Sequence, residues 1–357
     1  MFRYQNEKLA QEIVAKLKAL NLTLRLMHVC GTHQDTLMRY GLNSMLREVG
    51  VDVRAGPGCP VCVTTAKEIE EAIALAQSGK VVATFGDMFR VPGETQSLAE
   101  VKAEGYDVRM VYSITDCIAL AEKTDKDVIF FSIGFETTAP TPASVILSKP
   151  PENFSILSTH RLIPPAMAAL LNMGELKIDG FIDPGHVSAI IGAGPYEFLS
   201  RDYKIPQVIA GFEPLDLLVA VYMLAMQIRR GEAKVENEYT RVVKLEGNEK
   251  AKKIMETVFE PCDVGWRGFP VIPGSGLTLK DEFAAYDARK RYEDDLSALP
   301  GDYKEPEGCR CGEILRGIVD PDECPLFGTG CTPQHPIGPC MVSREGCCNI
   351  MLRYGTI

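Results

Sequence analysis

The sequence lacks both a long uninterrupted apolar run and an excess of basic residues. Its most apolar segment, residues 215–228, is broken by Asp216 and is too short to cross a bilayer. The N-terminal residues carry neither an apolar stretch nor a cleavage-site pattern, so no secretory signal peptide is expected. A formal net charge of -10, with no basic tract, argues against general nucleic-acid binding. We therefore expect a cytoplasmic protein that binds neither membranes nor nucleic acid.

The chain does contain enough apolar residues for a sizeable core. Hydrophobic residues make up 46% of the 357 positions and charged residues 24%, which is the composition of globular proteins. A chain of this length predicts two or three domains. In a reducing compartment its 12 cysteines are expected to bind metal or carry redox chemistry rather than form structural disulfides.

Strand-like and helical runs alternate through most of the chain. Residues 1–145 contain strands at 22–30, 51–55, 80–86, 108–113 and 128–133, which predicts one α/β domain with a parallel sheet. Residues 146–245 repeat the pattern with strands at 154–159, 178–182 and 207–210, which predicts a second, smaller α/β domain. Residues 246–357 lead into a small cysteine-rich iron–sulfur domain. We expect the two sheets to face a shared cleft.

Three segments have a more local interpretation. Residues 35–49 have the apolar periodicity of one amphipathic helix. Residues 261–276 are rich in Gly and Pro and are predicted to be turns. Residues 281–295 are predicted to form a charged helix that leads into the tail.

Short motifs follow four of the predicted strands, at the positions where functional groups gather in open α/β sheets. CGTH begins at residue 30, GPGCPVC at 56, GFETT at 134 and DPGH at 183. The first two motifs follow strands that we expect to be neighbours. We therefore expect one cleft to contain Cys30, His33, Cys59 and Cys62.

Cys59 and Cys62 form a Cys-x-x-Cys pair just before a predicted helix. A helix N-terminus stabilises thiolates and lowers their pKa. The pair could cycle between dithiol and disulfide, or it could bind a soft metal. Half of a structural zinc site is the alternative. Redox or catalytic metal chemistry is favoured, because the chain has no matching second Cys-x-x-Cys.

Single residues in the other motifs are candidates for catalysis. Cys30 alone would more often be a core residue, but its place at a strand-to-helix turn near His33 favours a thiolate that ligates iron. His33 could orient a ligand or move a proton, whereas His28, in mid-strand, is interpreted as packing. Glu136 is either an acid–base group or a hydrogen-bond partner, with a capping interaction from its threonine neighbours as the alternative. His186 follows a tight Pro-Gly turn and is the candidate in DPGH.

The tail, residues 309–348, holds seven of the chain's 12 cysteines among Gly and Pro. Such a peptide cannot hold one conformation without a cross-link such as disulfides, zinc or an iron–sulfur cluster. A [4Fe-4S] cluster takes four thiolates, although zinc remains an alternative and spacing does not decide between Cys347 and Cys348. The candidate ligands are Cys309, Cys324, Cys331 and Cys348. The spare thiols Cys311 and Cys340 favour iron, because an electron-carrying cluster could reduce or oxidise such a pair.

Five motifs, in order and over essentially the whole chain, resemble the HypD family of [NiFe]-hydrogenase maturation proteins. They are CGTHQDT, GPGCPVC, GFETTAP, DPGHVS and the tail from CRCGEIL to PIGPCMVSREG. The resemblance implies a two-lobed α/β body with a cluster-bearing third domain. It also implies a scaffold on which the Fe(CN)2CO unit of the hydrogenase is assembled. The implied partners are HypC, a small chaperone that shares the iron, and HypE, which donates cyanide.

The same resemblance implies roles for individual cysteines. Cys30 resembles the iron-binding cysteine of the family, and Cys59 and Cys62 resemble its redox-active pair. Cys311 and Cys340 match a tail pair that relays electrons. The family's cluster ligands match Cys309, Cys324, Cys331 and Cys348. The family usually has Glu after CGTH, whereas this chain has Gln34, so a role for an acid at that position does not carry over.

The expected function is therefore a maturation scaffold with thiol redox chemistry. Electrons would pass from the tail cluster to Cys311 and Cys340 and then to Cys59 and Cys62. Because thiol exchange needs near contact between sulfur atoms, the tail must fold back toward the cleft. An autonomous cluster-fed thiol-disulfide oxidoreductase is the alternative, and whether the chain is an independent enzyme stays open. A zinc-stapled interaction module is a third interpretation.

Overall fold

The structure, a computed structural model, describes residues 6–355. Its strands alternate with helices until the C-terminal third, where short helices and a hairpin take over. The strands are β1 (Leu24–His28), β2 (Val51–Ala55), β3 (Val81–Phe85), β4 (Val108–Val111), β5 (Val128–Gly134), β6 (Phe154–His160), β7 (Gly180–Pro184), β8 (Gln207–Ala210), β9 (Val235–Asn237), β10 (Phe259–Gly265) and β11 (Val271–Leu279).

The helices cover both faces of the sheets and build the tail. They are α1 (Glu7–Leu20), α2 (Gly31–Arg39), α3 (Leu42–Glu48), α4 (Pro60–Val63), α5 (Ala66–Gln77), α6 (Gly86–Phe89), α7 (Leu98–Ala103), α8 (Ile114–Ala121), α9 (Pro140–Leu147), α10 (Ile163–Met173), α11 (Gly185–Ile191), α12 (Glu197–Tyr203), α13 (Pro214–Arg230), α14 (Glu249–Val258), α15 (Ala288–Arg291), α16 (Glu293–Leu296), α17 (Cys311–Leu315), α18 (Pro339–Val342) and α19 (Cys347–Tyr354). Single 3-10 turns occupy Gly194–Tyr196, Asp281–Tyr286 and Pro321–Glu323.

The strands form two parallel sheets and one antiparallel hairpin. The first sheet has the order β2-β1-β7-β8-β9, the second has the order β4-β3-β5-β6, and β10 pairs with β11. Every neighbouring pair in both larger sheets is parallel. The predicted α/β class with two parallel sheets and a cysteine-rich C-terminal region is confirmed.

The strands are not divided between the sheets in the way that chain order suggested. The chain forms β1 and β2, leaves to build the whole second sheet from β3 to β6, and returns to the first sheet with β7. The prediction that the first five strands share one sheet is therefore wrong, as is the grouping of β6 with β7 and β8. Hydrophobic periodicity identifies a strand but not its neighbours. Leu26 of β1 pairs with the distant Gly180 of β7, a contact that no local pattern encodes.

Burial explains why these strands form. All residues of β5 and of β6 are buried, as expected for strands covered by helices on both faces of a parallel sheet. One buried cluster contains Phe131 of β5, Phe181 of β7, Trp266 and Cys340. Both sheets and the tail therefore share a continuous core, and the tail is held by packing as well as by its cysteines.

Three local predictions are corrected by the structure. Residues 35–49 form two helices, α2 and α3, because the chain turns at Gly41 with a φ of 66° that favours glycine. Residues 261–276 belong to the hairpin β10–β11, whose register shifts between Cys262 and Val264, so its strand signal was hidden by Pro and Gly. Residues 281–295 form a 3-10 turn, α15 and α16 rather than one helix, and Asp287 caps α15.

The tail lies against the carboxyl edge of the first sheet. Helix α19 packs on α2, with Arg353 and Asp35 3.4 Å apart, while α17 and α18 both contact α4. The prediction that the tail folds back toward the Cys-x-x-Cys segment is confirmed. Within residues 6–355, none of the helices combines the length and the apolar character that a bilayer crossing requires.

Candidate metal and thiol-redox site

Both parallel sheets reverse their strand order beside the candidate residues. In the first sheet β1 connects to β2 on one side and β7 connects to β8 on the other, so the loops after β1 and β7 diverge. The loops after β3 and β5 diverge in the same way in the second sheet. Ligands bind in the crevice that diverging loops leave at the carboxyl edge. Cys30 follows β1, Asp183 lies near the end of β7, and Glu136 follows β5.

The CGTH and GPGCPVC motifs lie in contact, as their strands predict. Strands β1 and β2 pair in parallel, and the Gly31 N–H donates to the Gly58 carbonyl at 3.1 Å. A side chain at Gly58 would collide with the main chain of Cys30. The glycine between the two motifs is therefore what allows the Cys30 loop to approach the Cys-x-x-Cys loop so closely.

The Cys30 thiol is buried at the start of α2. Its residue is only 8% exposed. Burial raises the pKa of this thiol to about 11, and the nearby Glu345 carboxylate adds to the rise, while the backbone N–H groups of His33 and Thr32 oppose it. The free thiol is therefore protonated at neutral pH. A soft metal cation that displaced this proton would gain a thiolate ligand.

Cys59 and Cys62, named the α4 pair, form a disulfide with their Cα atoms 5.2 Å apart. Cys59 begins α4, and its sulfur accepts the Cys62 N–H at 3.2 Å. Both residues are buried, at 2% and 0% exposure. Only a group already inside the protein fold can reach these sulfur atoms without a rearrangement.

Cys311 and Cys340, named the tail pair, are free thiols whose sulfur atoms lie 2.7 Å apart. Their hydrogen bond lowers the pKa of Cys311, helped by the Arg267 guanidinium, and raises the pKa of Cys340 well above its ordinary value. Cys311 is therefore the thiol of the pair that ionises first. Because α17 and α18 both contact α4, the tail pair and the α4 pair lie on helices that touch.

One apolar cavity in the tail is lined by the four cysteines that the sequence analysis selected as cluster ligands. These four, named the cavity thiols, are Cys309, Cys324, Cys331 and Cys348. The tail pair also lines this cavity. Cys347, the alternative ligand, does not line it. The Ile337 N–H donates to the Cys331 sulfur at 3.2 Å, as N–H groups do to cluster sulfurs.

His33 and His28 are both buried and neutral, and both belong to the surroundings of Cys30. Burial lowers the pKa of His28 to about 4 and that of His33 to about 3. The Nε2–H of His33 donates to the Gly211 carbonyl at 3.0 Å, and no partner for its Nδ1 is found within residues 6–355. His28 Nδ1 accepts from the Cys30 N–H at 3.5 Å, and its Nε2–H donates to Gln34 Oε1 at 2.8 Å. His28, interpreted from the sequence as packing, thus positions the Cys30 backbone.

His186 lies apart from the thiols, at the protein surface. Its ring stacks on Phe212 at 3.8 Å between centroids, and Phe212 is in turn 5.1 Å from the ring of His33. Partial burial lowers the pKa of His186. The ring of Phe212 thus lies between His186 and His33, and within residues 6–355 no contact joins His186 to the tail pair or the α4 pair.

Glu136 and Asp183 are buried carboxyl groups where the carboxyl edges of the two sheets meet. Glu136 accepts the Ile163 N–H at 2.9 Å through one oxygen, and burial raises its pKa to about 7. Burial also raises the pKa of Asp183 well above its ordinary value. Across the described chain no partner is found for either Asp183 oxygen or for the second oxygen of Glu136. After burial itself, the titratable neighbours that raise the pKa of Tyr196 are Asp183, Glu136 and Cys30.

Comparison with known proteins assigns the chain to a family. The HypD family model, described as "Hydrogenase formation hypA family", matches residues 5–355. The chain belongs to the HypD family. A putative hydrogenase expression/formation protein of Methanocaldococcus jannaschii is 51% identical over 338 residues, which cover 94% of this chain and 93% of the relative. Hydrogenase maturation factor HypD of Rhizobium leguminosarum is 43% identical over 368 residues, covering 99% and 94%. The same factor of Cupriavidus necator is 41% identical, covering 99% and 96%.

The structure of this HypD-family chain adds three residues that the sequence reasoning did not select for the site. His28 was assigned to packing, Asp183 was passed over in favour of His186 in the same DPGH motif, and Tyr196 carried no motif at all. Asp183 did give a signal: a carboxylate in a run of strand residues is costly to bury unless it has a function or a partner. Tyr196 gave none, because its contacts come from three distant segments.

Proposed function

We propose that this chain is the scaffold and redox protein on which the Fe(CN)2CO unit of [NiFe]-hydrogenase is assembled. Cys30 binds the iron, and the cavity thiols hold a [4Fe-4S] cluster. The cluster would supply electrons, which the tail pair and then the α4 pair would carry toward the Cys30 site. The observation that carries this proposal is the contact of α17 and α18 with α4, which places the two buried thiol pairs on helices that touch.

The donor set in the tail fits a cluster better than it fits zinc. A single zinc ion holds thiolates at about 2.3 Å, which places their sulfur atoms roughly 4 Å apart. Within residues 6–355, no three His, Cys, Asp or Glu side chains are grouped tightly enough for one ion. The cavity thiols instead line one apolar space, and four thiolates are the number that a [4Fe-4S] cluster takes. Such a cluster supplies electrons one at a time.

Thiol exchange accounts for transfer between the two pairs. The Cys311 thiolate attacks one sulfur of the α4 disulfide, and the other sulfur leaves as a thiolate. Cys340 then attacks the Cys311 sulfur of this mixed disulfide and displaces the α4 sulfur as a thiolate, so the tail pair ends as a disulfide and the α4 pair as a dithiol. Two electrons from an external donor, delivered through the tail domain, restore the tail pair. No step exposes a reactive sulfur to solvent, which agrees with the burial of both pairs.

The reduced α4 pair supplies the electrons that cyanide transfer consumes. Cyanide carried as a thiocyanate on a partner protein needs two electrons to leave as cyanide and a thiolate. The α4 dithiol provides both by closing its disulfide and releasing two protons. Iron(II) held by Cys30 and by a thiolate of a partner keeps positions open for diatomic ligands. The partners in this proposal are a HypC-type chaperone that shares the iron and a HypE-type cyanide donor, and the setting is the cytoplasm.

The decisive experiment is Cys30→Ala, studied after co-purification with the chaperone partner. We expect the variant to fold and to keep its visible cluster absorption, but to show no infrared bands of iron-bound cyanide and carbon monoxide. Cys262→Ala is the matched control, since Cys262 lies in the β10–β11 hairpin and is free and partly buried. Intact cyanide and carbon monoxide bands in Cys30→Ala would refute the assignment of the iron ligand.

An autonomous thiol-disulfide oxidoreductase is the competing function, and the disulfide of the α4 pair is the observation that favours it. Its burial, with both cysteines at or below 2% exposure, argues against a free substrate reaching these sulfurs. Turnover of small disulfides by the purified, reduced protein alone separates the two functions. The scaffold proposal expects turnover no faster than that of a variant lacking the α4 pair.

A further inference from the structure

The strand order of the first sheet singles out a second residue beside Cys30. Strands β1 and β7 are the adjacent pair at which the connections diverge, and His28 pairs with Ile182. Asp183, the next residue of β7, therefore stands at the same level as the turn that carries Cys30. In open α/β sheets the crevice beyond this edge is where a ligand binds.

Asp183 has no structural task that would explain its burial. It is 0% exposed, and neither carboxyl oxygen has a hydrogen-bond partner among the described residues. Leaving a buried polar group unpaired costs stability, so an orphaned group in a native protein needs another explanation. A carboxyl group without a cation beside it is held as the neutral acid, and a neutral acid has an O–H to donate.

Two further hydroxyl-bearing groups converge on the same region. The second oxygen of Glu136 is also buried and without a partner in residues 6–355. The Ser188 hydroxyl donates to the Pro184 carbonyl at 2.9 Å, so it accepts from the Tyr196 hydroxyl, 3.1 Å away. The Tyr196 hydroxyl has Asp183, Glu136 and Cys30 as its electrostatic neighbours. The Tyr196 hydroxyl thus lies within electrostatic reach of the Cys30 thiol and of two buried carboxyl groups.

We propose that Asp183 is a further ligand-binding residue of this site, whose protonated carboxyl donates a hydrogen bond to a small anion of the cyanide class held beside Cys30. This proposal deepens the proposed function and rests on it. Acids with an O–H to donate select a hydrogen-bond acceptor, and the nitrogen end of an iron-bound cyanide is one. A carboxylate or phosphate ligand would call for arginine or lysine partners. Neither Asp183 nor Glu136 has such a side chain among its hydrogen-bond partners in the described residues.

The first test uses the complex loaded with iron and cyanide. In the wild type we expect a cyanide stretching band whose position differs between H2O and D2O, because an exchangeable proton is bonded to the nitrogen. Asp183→Ala removes the donor, so the solvent-isotope shift disappears and cyanide occupancy falls by about tenfold, as for one lost hydrogen bond of this kind. Asp183→Asn keeps an N–H donor and should retain most of the occupancy with a displaced band.

Asp179→Asn is the matched control, because it makes the same chemical change just before the amino end of β7, where Asp179 accepts the Arg25 N–H at 2.8 Å. The control should leave the cyanide band and its isotope shift unchanged. Thermal unfolding of the isolated variants gives a second reading. Asp183→Asn should melt at or above the wild-type temperature, because the acid makes no internal hydrogen bond that the variant could lose. If the acid had a structural role instead, Asp183→Asn would lower the melting temperature.

A second experiment uses only the isolated, cluster-loaded protein. It therefore does not depend on assembly of the iron unit. Azide, a small linear anion, is titrated while its infrared band is followed. The wild type should bind azide about tenfold more tightly than Asp183→Ala. Equal affinity in the two proteins, or no binding by the wild type, overturns the proposal for Asp183. A wild-type complex without cyanide bands, alongside normal azide binding, overturns the scaffold function instead.

Discussion

The main chain of Glu345 lies directly on Gly31, the residue that follows the candidate iron ligand. A Cβ at position 31 would sit 2.6 Å from Glu345 Cβ and 2.7 Å from its carbonyl oxygen, closer than real contacts allow. Glu345 belongs to the segment between α18 and α19, so this contact joins the tail to the Cys30 turn. Only glycine permits the tail to close over the site.

Gly31→Ala should therefore loosen the tail without disturbing the sheet. The added methyl group overpacks a rigid contact, which costs about 1–3 kcal/mol in the free energy of unfolding. We expect faster proteolysis near residue 345 and weaker iron binding, with the cluster absorption retained. Gly194→Ala serves as the control, because nothing lies within 4 Å of its added methyl. Equal proteolysis of the two variants would contradict a closing role for the Gly31 contact.

A buried ion pair joins Arg161, just after β6, to Glu68 of α5, the helix that follows the α4 pair. Arg161 donates to both oxygens of Glu68 at 2.6 Å and to the Gly265 carbonyl at 2.9 Å. Burial alone would raise the pKa of Glu68, but Arg161 and Arg289 outweigh it and the pKa is lowered. Arg161→Ala leaves a buried carboxylate with less compensation and should cost about 3–5 kcal/mol in urea unfolding.

The exposed pair of Arg201 and Asp202 provides the comparison for that measurement. Their side chains are 71% and 49% accessible, so solvent screens the attraction and Arg201→Ala should have no measurable effect. The lowered pKa of Glu68 also determines the direction in which stability changes with pH. Its stabilising contribution is present above the unfolded-state pKa and is lost as pH falls through the folded-state pKa. A loss of stability in Arg161→Ala no larger than in Arg201→Ala would contradict this ion-pair account.

Glu136 should make the protein less stable as the pH rises. Its folded-state pKa is about 7 against an ordinary value of 4.5, so the folded state binds more protons than the unfolded state between these two values. Stability therefore falls over that interval, by up to about 3 kcal/mol for this one group, and then levels off. Glu136→Gln keeps an acceptor for the Ile163 N–H and removes the proton. Urea unfolding at pH 5 and pH 8 should show the variant gaining on the wild type only at the higher pH.

Sequence patterns could predict most elements of this fold but not their arrangement. Helix α1 and strands β2 and β8 begin and end where periodicity places them. The pairing of β1 with β7 depends on burial across more than 150 residues of chain, which no window of sequence reports. The β10–β11 hairpin was missed for a different reason, because the bulge between Cys262 and Val264 breaks the alternation on which strand prediction relies.

For the candidate site, too, contacts between consecutive strands could be predicted from the sequence, whereas contacts between distant segments could not. The closeness of Cys30 to the Cys-x-x-Cys segment came from two consecutive strands and could be inferred from strand order. The choice of Cys348 over Cys347 for the tail cavity depends on which face of α19 turns inward, and spacing alone could not tell. The convergence of Asp183 with Tyr196 and Glu136 required both sheets to be in place, so only the folded chain could show it.

Gln34 is hydrogen-bonded to His28, whose imidazole contacts the Cys30 backbone. Replacement of Gln34 should therefore change the stability of the protein in a predictable direction. The His28 Nε2–H is buried and donates to Gln34 Oε1 at 2.8 Å. Gln34→Leu leaves that N–H without an acceptor and should cost about 1–3 kcal/mol in unfolding free energy. Gln34→Glu restores an acceptor at the same position and should be milder than Gln34→Leu. If the leucine variant were as stable as the wild type, the His28–Gln34 bond would have no supporting role.

Cys340→Ala should interrupt electron flow while leaving the cluster in place. Cys340 contacts Cys311 and is not one of the four cavity thiols, so the variant should keep its absorption near ~400 nm, typical of an iron–sulfur centre. Without the second tail sulfur, exchange stops at a mixed disulfide and the α4 pair cannot be released as a dithiol. Alkylation of unfolded protein followed by mass spectrometry should show Cys59 and Cys62 labelled in the reduced wild type but not both labelled in the variant.

Cys347→Ala is the control, because it also removes a buried tail thiol but one outside the cavity, and it should behave like the wild type. Full labelling in Cys340→Ala would mean that electrons reach α4 by another route.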